Sequence, residues 1–134
     1  MRSELNLPDL SRLTLLAVDD NADALEVLGT ILKACGADVL EARDGRDALA
    51  YVGTTPQLDA IITDLSMPGM DGVELARKVR EQPSRRGLPV IALTGFPERY
   101  LDTSAFDAFL KKPFEFDELC RTVYALTAAR NGHQ

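Results

Sequence analysis

The chain has 134 residues, 46% hydrophobic and 27% charged, the profile of one ordinary globular domain rather than a membrane or low-complexity protein. Its net charge of −6 argues against nucleic acid or an anionic membrane as the main partner, since both select basic surfaces. No apolar run approaches the roughly 20 residues of a membrane span, and MRSELNLPDLSR has no apolar signal core, so a cytoplasmic protein is expected.

Short apolar runs alternate with helix-period stretches. Leu13 to Val18 reads as a strand too apolar to face water on either side. A helix over 22–35 follows, with Leu25, Leu28, Leu32 and Cys35 at helical spacing and Ala24, Val27 and Ile31 widening the stripe; Gly36 stops it. A strand over about 38–42 leads through Asp44-Gly45 into a helix carrying Ala48, Leu49 and Val52. Leu58 to Thr63 is the third strand. Asp71 then caps a helix, with Glu74 in the capping-box position and Val73, Ala76 and Val79 on one face. Leu88 to Leu93 and Phe106 to Leu110 are the fourth and fifth strands, and Phe116, Leu119, Val123 and Leu126 stripe the last helix. Residues 1–12 and 127–134 read as loosely held ends.

Strands alternating with helices require crossover connections, hence a parallel sheet covered on both faces: a single three-layer α/β domain. Ligands of such sheets bind beyond the carboxyl ends of the strands. Strand one ends in Asp19-Asp20, strand three in Asp64 and strand four in Thr94, and Lys112 follows strand five. Taken singly these residues are ordinary: strand-end aspartates cap helices or form turns, Thr94 reads as a turn hydroxyl, and Lys112 as a solvated lysine beside Lys111. Jointly they form a pattern. Crowded carboxylates need a cation, and oxygen ligands favour Mg²⁺, with Mn²⁺ as the alternative. A cation beside a carboxylate, with a lysine and a hydroxyl, suits a phosphoryl group, and Asp64 is a candidate nucleophile giving an acyl phosphate. The single His133 and the two cysteines, Cys35 and Cys120, leave too few ligands for a zinc site. Both cysteines read as small core residues. A disulfide between them is not expected, because the end of the first helix and the start of the last should lie at opposite ends of the sheet, beyond the roughly 7 Å limit.

Over about residues 12–127 the sequence resembles the receiver domain of two-component response regulators. The matching stretches are Val18-Asp19-Asp20-Asn21, Ala42-Arg43-Asp44-Gly45, Asp64 to Gly72 (DLSMPGMDG), Ala92-Leu93-Thr94-Gly95 and Lys112-Pro113-Phe114. The resemblance implies a doubly wound, flavodoxin-like (βα)5 domain with a parallel sheet of strand order 2-1-3-4-5. It implies Asp64 as the phosphoacceptor from a phosphohistidine of a sensor histidine kinase or histidine phosphotransfer protein. Asp19, Asp20, Asp64 and the Ser66 backbone carbonyl would hold Mg²⁺, Lys112 would pair with the phosphoryl oxygens, and Thr94 and Phe109 would form the switch. The Lys112-Pro113 bond is expected to be cis. Ser66 and Phe96 would line the route of hydrolytic water, so a bulky Phe96 is expected to slow dephosphorylation. No enzymatic role is implied beyond self-phosphorylation from acyl phosphates and autodephosphorylation.

The family pattern is not followed everywhere. Only residues 95–105 remain for the fourth helix and its two loops, so that helix is expected to be short or missing, as in a subfamily of stand-alone receivers with a Thr-Gly-aromatic signature. The expected organisation is an extension over 1–11, the receiver over 12–127 and a tail over 128–134, with Met1 favouring a complete protein over a piece of a hybrid kinase. Two other classes remain. A phosphorylation-independent binding module would keep the fold alone. A Mg²⁺-dependent aspartyl-phosphate phosphatase commonly needs an aspartate where Ser66 stands.

Overall fold

Alternation along the central strands decides the architecture. In the computed structural model, which describes residues 8–67, 69–95 and 104–131, strand β1 (Thr14–Val18) sends Leu15 and Ala17 into one buried cluster and Leu16 and Val18 into another. Strand β3 (Ala60–Asp64) does the same with Ala60 and Ile62 against Ile61, and β4 (Val90–Thr94) with Ile91 and Leu93 against Val90. A strand with period-two side chains and two apolar faces needs cover on both. Helices α1 (Ala22–Ala34) and α4 (Phe116–Asn131) cover the first face; α2 (Gly45–Thr54) and α3 (Gly72–Glu81) cover the second. With β2 (Asp38–Ala42) and β5 (Ala108–Lys111), the sheet is parallel throughout, in the order β2-β1-β3-β4-β5. The three layers and the strand order are those expected.

Local signals place the helix ends. Asn21, Asp44 and Asp71 each accept a hydrogen bond from the backbone N–H three residues on, at 2.9, 2.8 and 2.9 Å. Gly36, with φ +105°, follows the last turn of α1, and a Cβ there would press on the backbone of Ser11. Of residues 95–105, expected to hold a short or missing helix between β4 and β5, 96–103, Phe96 among them, lie outside the described residues.

Several expectations are corrected. Val27 is 59% and Phe116 40% exposed, so neither belongs to its apolar stripe; on α4 the buried face is Leu119, Cys120, Val123 and Thr127. The ends are less loose than composition suggests. Leu10 is fully buried, its N–H donates to the Cys35 carbonyl at 2.8 Å, and α4 continues to Asn131. The cysteines are the largest correction: Cys35 Sγ and Cys120 Sγ lie 2.7 Å apart, both buried and both free thiols. With strands of four or five residues the sheet is at most about 17 Å deep. Across so shallow a layer Cys35, at the C-cap of α1, and Cys120, on α4, meet in one buried cluster.

Candidate functional site

The carboxyl ends of β1, β3, β4 and β5 form one rim. Strand register alone places its residues: Val18 pairs with Thr63, Asp64 with Leu93 and Thr94 with Lys111. Each polar residue beyond those pairs leaves the sheet at the same level. Asp19, Asp20 and Asp64 each offer a carboxylate oxygen, and the three oxygens lie within 4.8 Å of one another. Asp19 and Asp64 are buried, and Asp20 is the most open of the three. Lys112 Nζ donates to Asp64 Oδ1 at 2.7 Å and stands 4.0 Å from Asp19 Oδ2. Its backbone N–H donates to the Thr94 carbonyl at 2.8 Å, and the Lys112-Pro113 peptide is cis. Thr94 is buried at the end of β4.

Among the described residues the cluster is electrostatically unbalanced, with three carboxylates facing one ammonium. Burial pushes the Asp19 carboxyl above the usual range, and the charges of Asp64 and Asp20 add to that. The Asn21 N–H, donating at 2.9 Å, and Lys112 oppose it. Like charges so close need a further cation. Octahedral ligands about 2.1 Å from Mg²⁺ lie roughly 3–4 Å from one another, so oxygens already within 4.8 Å fit such an ion after small shifts.

The turn after β3 is held tightly. Leu65 N–H donates to the Leu93 carbonyl at 3.2 Å and Gly72 N–H to the Leu65 carbonyl at 3.1 Å. A Cβ on Gly72 would stand 2.5 Å from the Asp64 carbonyl oxygen, so only glycine lets α3 start against this turn. Ser66 is exposed on the same turn. Phe109, paired with Ala92 in the sheet, is half-buried, and its ring meets Phe106 edge to face at 5.1 Å, a contact that no spacing in the sequence announces. A groove of about 530 Å³ opens beside Asp19 and Lys112, walled by Ala24, Leu28, Ile31 and Phe114.

The model of the response regulator receiver domain matches residues 15–124, almost the whole of this fold. The chain belongs to the response regulator receiver domain family of two-component signalling. It is 41% identical over 110 residues to the gliding motility regulatory protein of Myxococcus xanthus, covering 78% of this chain but 14% of that one. Among solved structures it is similar to the receiver domain of a Pseudomonas aeruginosa PAO1 sensor histidine kinase with a magnesium ion coordinated in its active-site cleft (TM-score 0.80, 30% identity, covering 87% and 98% of the two chains). It is also similar to the response regulator TrrA of Thermotoga maritima in complex with Mg²⁺-BeF (TM-score 0.77, 32% identity, 85% and 98%). In this receiver no described helix is long and apolar enough to cross a membrane.

Proposed function

We propose that this receiver takes a phosphoryl group onto Asp64 from the phosphohistidine of a sensor histidine kinase or phosphotransfer protein, and switches conformation toward a protein partner. The carrying observation is the Asp19, Asp20 and Asp64 cluster with Lys112 Nζ 2.7 Å from Asp64. A metal-binding site with a lysine reaching its central carboxylate suits a transferring phosphoryl group. Asp19, Asp20, Asp64 and the Ser66 backbone carbonyl would hold Mg²⁺, which supplies charge neutralisation at the phosphoryl oxygens.

An Asp64 carboxylate oxygen attacks phosphorus, the P–N bond to the donor imidazole breaks, and the imidazole nitrogen takes up a proton. Lys112 then leaves its carboxylate for a phosphoryl oxygen, and the Thr94 hydroxyl donates to another. The new group carries nearly two negative charges, which only preset donors and a cation can hold in so concave a place. Movement of Thr94 vacates space that the half-buried Phe109 enters, carrying the change to the β5 edge. Residues 12–127 act as the receiver unit. No turnover of a substrate is assigned beyond self-phosphorylation from acyl phosphates and hydrolysis of the aspartyl phosphate.

Incubation with Mg²⁺ and a small acyl phosphate, read by intact mass, tests this reading. The expected result is a gain of one phosphoryl group, removed by hydroxylamine and dependent on Mg²⁺. A chain that stays unmodified under these conditions, and with a phosphorylated histidine donor, overturns it.

A further inference from the structure

We infer that Cys35 and Cys120 form a reversible intramolecular disulfide that fastens the end of α1 to α4, with a low-molecular-weight disulfide such as oxidised glutathione as the oxidant. The pair lies outside the acidic site, and nothing in the phosphoryl chemistry uses it. Its sulfurs are 2.7 Å apart and need to close by only about 0.7 Å to reach the S–S bond length. Two independent anchors keep them there. The Cys35 carbonyl accepts from Leu10 N–H at 2.8 Å, and Leu32, Leu119 and Val123, all fully buried, pack in the same cluster. These are two cysteines 85 residues apart in sequence, from separate helices, facing each other in one apolar layer.

The two thiols are not equivalent, which gives the exchange an order. Cys35 follows the last residue of α1 and is 8% exposed, whereas Cys120 is fully buried. Burial, with Cys35 as its hydrogen-bond neighbour, holds the Cys120 thiol well above the ordinary range. Cys35, the more exposed of the two, therefore gives its proton to solvent and attacks first, on one sulfur of glutathione disulfide, and expels one glutathione thiolate. Cys120 then gives its proton to solvent and attacks Cys35 Sγ, and the S–S bond to glutathione breaks with release of the second thiolate. Two protein thiols are oxidised and one small disulfide is reduced to two thiols.

The bond would tie together two helices that both start at the acidic rim: α1 directly after Asp19-Asp20-Asn21, and α4 four residues after Lys112. It closes a long loop, and long loops gain most from cross-linking.

The test is incubation of the full-length native chain with oxidised glutathione, followed by unfolding, alkylation and intact mass. The expected product is a monomer lighter by two hydrogens, with no alkylated thiol and no glutathione adduct. Proteolysis should release the Cys35 peptide joined to the Cys120 peptide, and dithiothreitol should restore both thiols. Its thermal midpoint should exceed that of the reduced chain by about 10 °C. In Cys35→Ala and Cys120→Ala the mass loss should vanish. Two persistent free thiols, a lasting glutathione adduct, a disulfide between chains, or an oxidised form that melts below the reduced one each overturns the inference. The wild-type readouts decide it even where a variant fails to fold.

Discussion

Both ends of the sheet bury charge, and they do it differently. At the end where the strands begin, the buried Arg85 donates to the carbonyls of Val52 (2.9 Å), Thr55 (2.6 Å) and Pro56 (3.4 Å), closing the end of α2. Arg80 donates to the carbonyls of Ala105, Arg86 and Leu88 and pairs with Asp107 at 2.7 Å, while Asp107 also accepts from Val90 N–H. There the guanidinium groups are met by carbonyls and a carboxylate, and the arginines work as struts. At the opposite rim, among the described residues, Lys112 alone pairs with Asp19 and Asp64, and Asp20 crowds the same cluster. A buried charge with a full set of partners holds structure, whereas a cluster left short of positive charge is arranged for something that arrives.

The sharpest way to break this comparison is Asp64→Asn. It should abolish phosphoryl uptake from acyl phosphate in the intact-mass assay while the chain stays folded; uptake at another residue would mean that the rim is not organised around Asp64. Arg85→Ala should cost about 2–4 kcal/mol in urea unfolding, because it strands the Val52 carbonyl, whose bond to Arg85 is buried, and removes the links to Thr55 and Pro56. The same variant should still be phosphorylated, and a loss under 0.5 kcal/mol or so would show that Arg85 is not a strut. Gly72→Ala should cost about 1–3 kcal/mol, since its Cβ meets the Asp64 carbonyl, and should also slow phosphorylation by displacing the nucleophile's strand end. The smallest effect has the opposite sign. Asp19→Asn should raise the stability of the metal-free chain by about 0.5–1 kcal/mol, by removing a charge that burial, and then the charges of Asp64 and Asp20, disfavour, and should weaken Mg²⁺ binding measured by calorimetry. A destabilised metal-free variant would mean that the rim is compensated after all.

Much of this was legible in the sequence because the rim is made by position along strands. A parallel sheet puts every strand end at one level, so Asp19, Asp20, Asp64, Thr94 and Lys112 converge once the strands are recognised. The third and fourth strands sit one to two residues later than their apolar runs. Leu58 and Leu88 are buried just before the ladder begins, and apolarity marks burial rather than pairing. The struts left no local trace. Arg80 and Arg85 look like solvated helix charges, since their partners are carbonyls that no residue type announces. Val27 and Phe116 are apolar at helical spacing yet exposed, because a stripe does not fix how wide a face the neighbouring layer covers. The cysteine contact was half visible. Cys35 lies in register with Leu32 and Cys120 beside Leu119, on two helices that strand order 2-1-3-4-5 puts on one face. Only the depth of the layer, which spacing cannot give, brings them to one height.

In the proposed function the acidic rim takes a metal ion and then a phosphoryl group. Amide NMR with Mg²⁺, then with beryllofluoride as the phosphoryl stand-in, tests it most directly. The expected result is Mg²⁺ shifts confined to Asp19, Asp20, Asp64 and Ser66, followed on beryllofluoride by shifts at Thr94, Phe109 and Lys112, with the amides around Arg80 and Arg85 unmoved. A spectrum unchanged by both additions would contradict it and leave a receiver fold that binds partners without phosphorylation.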